Sequence, residues 1–411
     1  MRRNLNARLA ELRGSGELKT GRQLSEQLQA EREKDLFPGE GRVEETAFGS
    51  CYLRELNYSL DHKHGRNTLS GILSCCGKEL ALPARNSDFN RFDPRETIFL
   101  DIETTGLSGG TGTWAFLIGL GWLENDSFVL RQYFLRRPAE ERAVLSHFAE
   151  KTAAFPIMVT FNGKLFDLPL LQTRQMLAGL SFTAPELHLD LLQCARILWK
   201  HRLQSRSLRA LEESLLGLKR TDDIPGAEIP PVYFDYLRRG KTELIKKVFD
   251  HNALDILSMV TLLERVSHLA GGRLVEHPAE SLALGRLCLE SGRTAEGIAY
   301  LNDTSAFGLD PLALEAALEL SFYYKRQGQW EQAVEIWRKA ASREKASPKA
   351  CIELAKYYEH RCGNYRDALS LTEKALALTA GRLDLPIHSE LAGPALQHRM
   401  NRLKRKLAQS G

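Results

Sequence analysis

Phe99-Leu100-Asp101-Ile102-Glu103-Thr104-Thr105-Gly106-Leu107 is the stretch on which the reading of the chain turns. The run Thr97-Ile98-Phe99-Leu100 predicts a buried β-strand, with β-branched and aromatic residues ending at a polar break. Asp101 and Glu103 stand at its end with one residue between them. Side chains alternate along a strand, so both carboxylates face the same side. Two like charges side by side are costly unless a cation neutralises them, and hard divalent cations prefer carboxylate oxygens. An Asp-x-Glu at a strand end is therefore a solvated strand-to-loop junction or half of a metal site, and partners elsewhere must decide.

The bulk of the chain narrows the setting. Its 411 residues suffice for two or three domains with sizeable cores. With 43% hydrophobic and 26% charged residues it reads as an ordinary globular protein, not a disordered or fibrous one. A net charge of +4 is too small to announce nucleic acid, so the distribution of charge matters more than its sum. Seven cysteines contain no Cys-x-x-Cys pair, which argues against zinc and for reduced thiols. The cluster His62, His64 and Cys75-Cys76 matches no common metal spacing. The charged N-terminus lacks an apolar signal-peptide core, and the longest apolar run, Trp114 to Leu123, is far too short for a membrane span. The expectation is a cytoplasmic protein with no membrane partner.

Outward from the Asp101 strand, composition marks five segments. Residues 1–42 are charged, with Leu5, Leu9 and Leu12 at helical spacing before Gly14-Ser15-Gly16, and read as a partly helical or disordered tail. Residues 43–92 hold short apolar runs broken by Gly, Asn and Asp and predict a small β-rich appendage. Residues 93–270 alternate strands and helices. Trp114–Leu123 and Ser127–Leu135 form a hairpin across Glu124-Asn125-Asp126, Pro138–Ala153 is a helix, and Ile157–Phe161 is a further strand. Leu189–Leu216 and Thr242–Leu269 predict helices. Residues 280–380 repeat at about 35: Gly292, Gly328 and Gly363, Trp330 with Tyr365, Ala333 with Ala368, and Ala340 with Ala375. That period resembles tetratricopeptide repeats, helix pairs that leave a groove for a protein partner. Residues 381–411 form a basic tail with a helix from Gln397 to Leu407.

Further candidates for chemistry lie in the third segment. Asp167 follows the Ile157 strand within Asn162-Gly163-Lys164-Leu165-Phe166-Asp167, where it either caps a helix or supplies a third carboxylate. His251 and Asp255 are four apart and share one face of a helix, as a surface hydrogen bond or as a ligand and a water-activating base. Between Leu191 and Arg220 stand seven basic residues against two acidic ones, a local excess larger than that of the whole chain. Such a patch suits a phosphodiester backbone, with Lys200 and Arg206 as its named contacts, or is a solvated helix face. Tyr233-Phe234-Asp235-Tyr236 reads as core rather than as a base-stacking platform.

Carboxylates from three separated places, in this order, resemble the DEDD 3′–5′ exonucleases of the ribonuclease H-like fold. Asp101-Ile102-Glu103-Thr104-Thr105-Gly106-Leu107, Asn162-Gly163-Lys164-Leu165-Phe166-Asp167 and His251-Asn252-Ala253-Leu254-Asp255 are similar to its first, second and third motifs. Gly106-Leu107-Ser108-Gly109-Gly110-Thr111-Gly112-Thr113, His188-Leu189-Asp190-Leu191-Leu192 and Asp223-Ile224-Pro225-Gly226 bring the chain closer to the YprB-type ribonuclease H-like proteins. The resemblance implies an α/β domain with a mixed five-stranded sheet. It also implies two-metal hydrolysis of DNA or RNA with Mg2+ or Mn2+, two ions about 4 Å apart. Asp101 would bridge them, Glu103 and Asp255 would hold the ion carrying the nucleophile, and Asp167 the other. His251 would be base or orienter, since it stands four before the last Asp, where one branch of the superfamily has Tyr and the other has His one residue earlier. Thr104, Gly106, Leu107, Asn162 and Lys164 would meet the nucleic acid. Asp190 reads as a helix cap or an extra carboxylate. The rival reading is a catalytically silent module that binds nucleic acid or protein through the basic helices and the repeats.

Overall fold

The computed structural model describes residues 41–106, 112–306, 311–343, 346–380 and 390–409. The N-terminal segment, but for its last two residues, and most of the glycine loop with Leu107 lie outside the described residues. The chain divides into two compact units, residues 1–198 with 203–274 and residues 199–202 with 275–411. No helix among the described residues is long and apolar enough to cross a membrane.

The first unit is built on β1 (Gly41–Thr46), β2 (Gly49–Ser59), β5 (Thr97–Thr104), β6 (Ala115–Glu124), β7 (Ser127–Phe134), β8 (Ile157–Thr160) and β9 (Leu187–Asp190). A separate two-stranded ladder joins β3 (Lys63–His64) and β4 (Asn67–Thr68). The main sheet has seven strands in the order β1-β2-β7-β6-β5-β8-β9, not five. Strands β5, β8 and β9 are parallel and the other pairs antiparallel, so the sheet is mixed. The extra strands are β1 and β2, which the sequence reading set apart as an appendage. Tyr52, Leu53 and Cys51 are fully buried, and pairing Tyr52–Ser59 with β7 covers what would be an open edge. The rest of that segment is largely helical, including α1 (Gly77–Ala84).

The remaining helices are α2 (Glu141–Thr152), α3 (Asp167–Leu177), α4 (Leu191–Leu198), α5 (Leu208–Leu211), α6 (Ile229–Arg239) and α7 (Glu243–Ala270). The single helix expected over 189–216 is instead a strand end, α4, a non-helical stretch at 199–207, and α5 running into a wider turn at Glu212–Leu216. Its apolar residues were divided between two cores: Trp199 is fully buried in the second unit, donating to Glu280 at 2.8 Å. Tyr233 and Tyr236 are core, as read, with Tyr233 stacked on Phe116 at 4.0 Å.

Helix α7 lies against β5, β6 and β7, and the reason is glycine. In the sheet Asp101 pairs with Gly119, which pairs with Gln132, making one row across three strands. Asn252 of α7 sits over that row. A Cβ at Gly119 would stand 2.2 Å from its Oδ1 and 2.6 Å from Ile256 Cδ1, and one at Gly121 would stand 2.7 Å from Ile256 Cγ2. Only glycine allows the helix this close. His64 of β3 pins the same helix: its Nε2 is 2.7 Å from Ser258 Oγ, and that hydroxyl donates to Glu212 at 2.5 Å. Ser258 therefore accepts from His64, which is buried and neutral. Burial, helped by Arg220 and His62, pulls the imidazole from 6.5 down to about 4. Neither His64 nor Cys75-Cys76 belongs to a metal-binding group among the described residues.

The second unit is α8 (Pro278–Glu290), α9 (Thr294–Ser305), α10 (Pro311–Arg326), α11 (Trp330–Ser342), α12 (Pro348–Tyr357), α13 (Tyr365–Thr379) and α14 (Gly393–Gln409). Each helix packs on the next, over a core that includes Trp337, Ala340 and Ala375. Glu359, fully buried, is clamped by Arg399, Arg402 and Lys406 of α14, which ties down the basic tail.

Two outcomes test this packing. Gly119→Ala is expected to lower the urea-unfolding free energy by about 1–3 kcal/mol through overpacking; a variant as stable as the wild type would show that α7 does not seat on this glycine. Because the unfolded chain binds a proton at His64 near pH 6.5 and the folded one only near 4, stability from this group is complete above pH 6.5 and lost as pH falls toward 4. The loss is about 3 kcal/mol. His64→Gln should flatten that part of the pH–stability curve, and an unchanged slope would count against the buried neutral imidazole.

Candidate active site

Three chain segments bring the predicted carboxylates to one region. Strand β5 ends in Asp101 and Glu103, Asp167 opens α3 just beyond β8, and α7 supplies His251 and Asp255. Their electrostatics record the convergence. Burial, then Asp255, Glu103 and Asp167, push the Asp101 carboxyl well above the usual carboxylate range, against a hydrogen bond from Asn252. Burial, then Asp255, Asp167 and Asp223, raise Glu103, with Arg220 opposing. Burial, then Asp190 and Asp255, raise Asp167 to about 7. Like charges crowded together resist joint ionisation, and protonation, a hydrogen-bond donor or a compensating cation relieves them.

Asp101, Asp255 and His251 are each oriented by a protein partner. Asn252 Nδ2 donates to Asp101 Oδ2 at 2.8 Å and to the Asp101 carbonyl at 3.2 Å, while Gln132 Nε2 donates to Asn252 Oδ1 at 2.9 Å. Asp255 Oδ1 accepts from Arg220 at 2.5 Å. His251 Nδ1 lies 2.8 Å from Asp223 Oδ1; its Nε2 is 3.7 Å from Asp255 Oδ2 and 3.9 Å from Glu103 Oε1. Asp190 is a loop organiser: its carboxylate accepts from the backbone N–H of Asn162 at 2.8 Å, Lys164 at 3.3 Å and Leu192 at 3.0 Å. That holds the Asn162-Gly163-Lys164 turn, where Asn162 takes a left-handed φ of 67°. A Cβ at Gly163 would stand 2.8 Å from Asp167 Oδ2, so glycine there lets the carboxylate sit close to the turn.

Arg220 is the residue that sequence reasoning misplaced. Counted among surface cations, it is instead 4% exposed and paired with Glu212, Asp223 and Asp255. Although burial disfavours its charge, Asp255 and Glu212 hold its guanidinium more firmly protonated than usual. Several members of the basic run are engaged by neighbours in their own unit. Arg202 is paired with Glu276 and Glu280, Arg209 with Glu213, and Lys200 belongs to the second unit while Arg206 belongs to the first and donates to the Leu203 and Gln204 carbonyls. Asn252, Asp223 and Arg220 had no signal beyond their place in or near the quoted motifs. Leu165 and Phe166, 62% and 53% exposed immediately before Asp167, are apolar rim residues that the sequence reading passed over. Thr104 Oγ1 donates to the Gly106 carbonyl at 2.8 Å, closing the turn after β5, and the Lys164 side chain is exposed.

Among the described residues no three His, Cys, Asp or Glu side chains enclose a cation as they are oriented. The donor set is nonetheless of the right chemistry: hard carboxylate oxygens, mutually repelling, on rigid elements. Asp101, Glu103, Asp167 and Asp255 fit a divalent cation in kind, with Asp255 turned to Arg220 and Asp101 to Asn252.

Comparison with known proteins adds the family. Residues 98–267 match the RNase H superfamily domain. Over 370 residues the chain is 32% identical to the uncharacterised protein YprB of Bacillus subtilis (strain 168), covering 87% of this chain and 86% of that one. Among solved structures, the family B DNA polymerase from the hyperthermophilic archaeon Pyrobaculum calidifontis superposes with a TM-score of 0.33 at 14% identity, over 48% of this chain and 29% of that chain. A sequence match that runs through both units, and a superfamily match that spans β5 to α7, lead to one assignment: the chain belongs to the YprB family and carries an RNase H superfamily domain.

Proposed function

We propose that the protein is a metal-dependent nuclease that shortens single-stranded DNA or RNA from the 3′ end. The observation that carries this reading is the meeting of acidic side chains from three separate chain segments, Asp101 and Glu103, Asp167, and Asp255, with the charge of Asp255 raising the other three. The superfamily match supports nuclease chemistry. Asp101, Glu103, Asp167 and Asp255 would hold the cations, Mg2+ or Mn2+. When bound, such ions polarise phosphate oxygens and make water a better nucleophile. The chain itself supplies orientation and proton transfer. Asn252 fixes the Asp101 carboxylate, and Arg220 fixes Asp255. His251 Nε2 takes a proton from the attacking water, the water oxygen bonds to phosphorus, and the 3′-oxygen of the adjoining nucleotide leaves with the bonding pair. Leu165 and Phe166 offer apolar surface to a terminal base, and Lys164 a charge to its phosphate. The helices of the second unit, repeated at a tetratricopeptide-like period, would dock a protein partner.

A second reading, a silent binding module, is favoured by one observation: Arg220 already neutralises Asp255. Metal binding separates the two.

Incubation with end-labelled single-stranded DNA and RNA in Mn2+ is expected to shorten one or both from the 3′ end. Asp101→Asn should reduce the rate about 1000-fold, near 4 kcal/mol of barrier. No shortening by the wild type, or equal rates in the variant, removes the nuclease reading. Titration calorimetry with Mn2+ should show binding that Asp167→Asn weakens; heat that is absent from the wild type leaves the silent module as the function.

A further inference from the structure

Asp223, in the Asp223-Ile224-Pro225-Gly226 segment, is not part of the carboxylate set, yet it is the group closest to His251. Its side chain is 7% exposed, and both oxygens are engaged: Oδ1 lies 2.8 Å from His251 Nδ1 and Oδ2 accepts from Arg220 Nη1 at 3.2 Å. The segment is anchored by Ile224, which is buried. Burial works against the charge of Asp223, but His251, by hydrogen bond and by charge, and then the Arg220 guanidinium hold its carboxyl below the usual range; with Oδ2 accepting from the guanidinium, it is an ionised acceptor. An ionised carboxylate can only accept, so Nδ1 must carry hydrogen. The other ring nitrogen then decides what the imidazole can do. Nε2 stands farther than a hydrogen bond from both Asp255 and Glu103, at 3.7 and 3.9 Å, and faces the gap between them.

We propose that Asp223 is the positioning residue for His251: it fixes the imidazole as the Nδ1–H tautomer and leaves the Nε2 lone pair facing the space between Glu103 and Asp255. The catalytic consequence rests on the nuclease reading, because a lone pair there is what accepts a proton from water; the tautomer itself does not. Arg220 makes the arrangement directional. A guanidinium only donates, so whatever stands at position 223 must turn an acceptor toward it. In Asp223→Asn the amide oxygen would stay with Arg220 and the amide NH2 would face His251 Nδ1. Nδ1 would then have to accept, and the ring proton would move to Nε2, where it blocks proton acceptance.

The test uses the full chain labelled with 15N-histidine, with the His251 ring signals assigned by their loss in His251→Gln. In the wild type, Nδ1 is expected to be the protonated nitrogen and Nε2 the bare one. In Asp223→Asn the two should exchange, with the circular dichroism spectrum unchanged, and kcat should fall about 100-fold or more while KM changes less than about 3-fold. A wild-type His251 carrying its proton on Nε2 alone overturns the proposal, and it does so even if the variant fails to fold. An unchanged tautomer in a folded Asp223→Asn overturns it as well. Should the wild type show no nuclease activity, the ring-nitrogen spectra still decide the positioning role, so failure of the function and failure of this inference are read separately.

Discussion

Carboxylates crowded into a half-buried site repel one another, and much of this domain is arranged against that repulsion. At about 4 Å each like pair costs about 4 kcal/mol at an effective dielectric near that of a protein surface. It is answered in two ways: the carboxyls of Asp101, Glu103 and Asp167 are held above the usual range, and Asp101 and Asp255 turn toward donors. Arg220 is the largest of these counterweights, a single guanidinium shared by Glu212, Asp223 and Asp255. Deleting it would leave Glu212, fully buried, without its ionic partner, a class of change that costs about 3–5 kcal/mol. The arginine is thus structural and electrostatic at once, which is why it sits inside rather than on the surface where its sequence neighbours lie.

Helix α7 delivers this balance to the sheet. One turn of it carries His251, Asn252 and Asp255, so the element that supplies two site residues also supplies the clamp on a third. The clamp works only because Gly119 leaves room for Asn252 above the Asp101 row. His64 and Ser258 hold the same helix further along, through a buried chain that ends on Glu212 and so on Arg220. Packing and charge compensation therefore share their residues, and a shift of α7 would disturb both.

What was legible in the sequence was what is local. Strand β5, the β6–β7 hairpin, β8 and α7 were readable because their apolar patterns repeat over a few residues, and the carboxylates were readable because Asp101 and Glu103 stand near the end of a strand, Asp167 follows another, and Asp255 shares a helix face with His251. The seven-stranded sheet was not: whether β1 and β2 stand alone or extend a sheet is settled by Tyr52 to Ser59 pairing with residues more than 60 positions away. The break after α4 was hidden because Trp199 is apolar in either environment, and only the fold says which unit buries it. Arg220 was hidden for the same kind of reason. A basic residue in a basic run looks solvated until its partners, Asp255 among them 35 residues on, are brought beside it.

That misplacement changes how a nucleic acid would meet the protein. A surface of seven cations beside the site would attract any polyanion by itself. Arg202, Arg209 and Arg220 are each engaged by carboxylates within their own unit, so three of the seven are already paired. The rim beside Asp167 offers Lys164 together with the exposed side chains of Leu165 and Phe166, a mixed surface suited to a base and one phosphate rather than to a long backbone. On the proposed nuclease reading, a single terminal nucleotide would enter such a site with its charge met by cations held among the carboxylates. Affinity and catalysis would then depend on the same ions, and the crowding of carboxylates that makes the site costly to fold would be what ties substrate capture to metal.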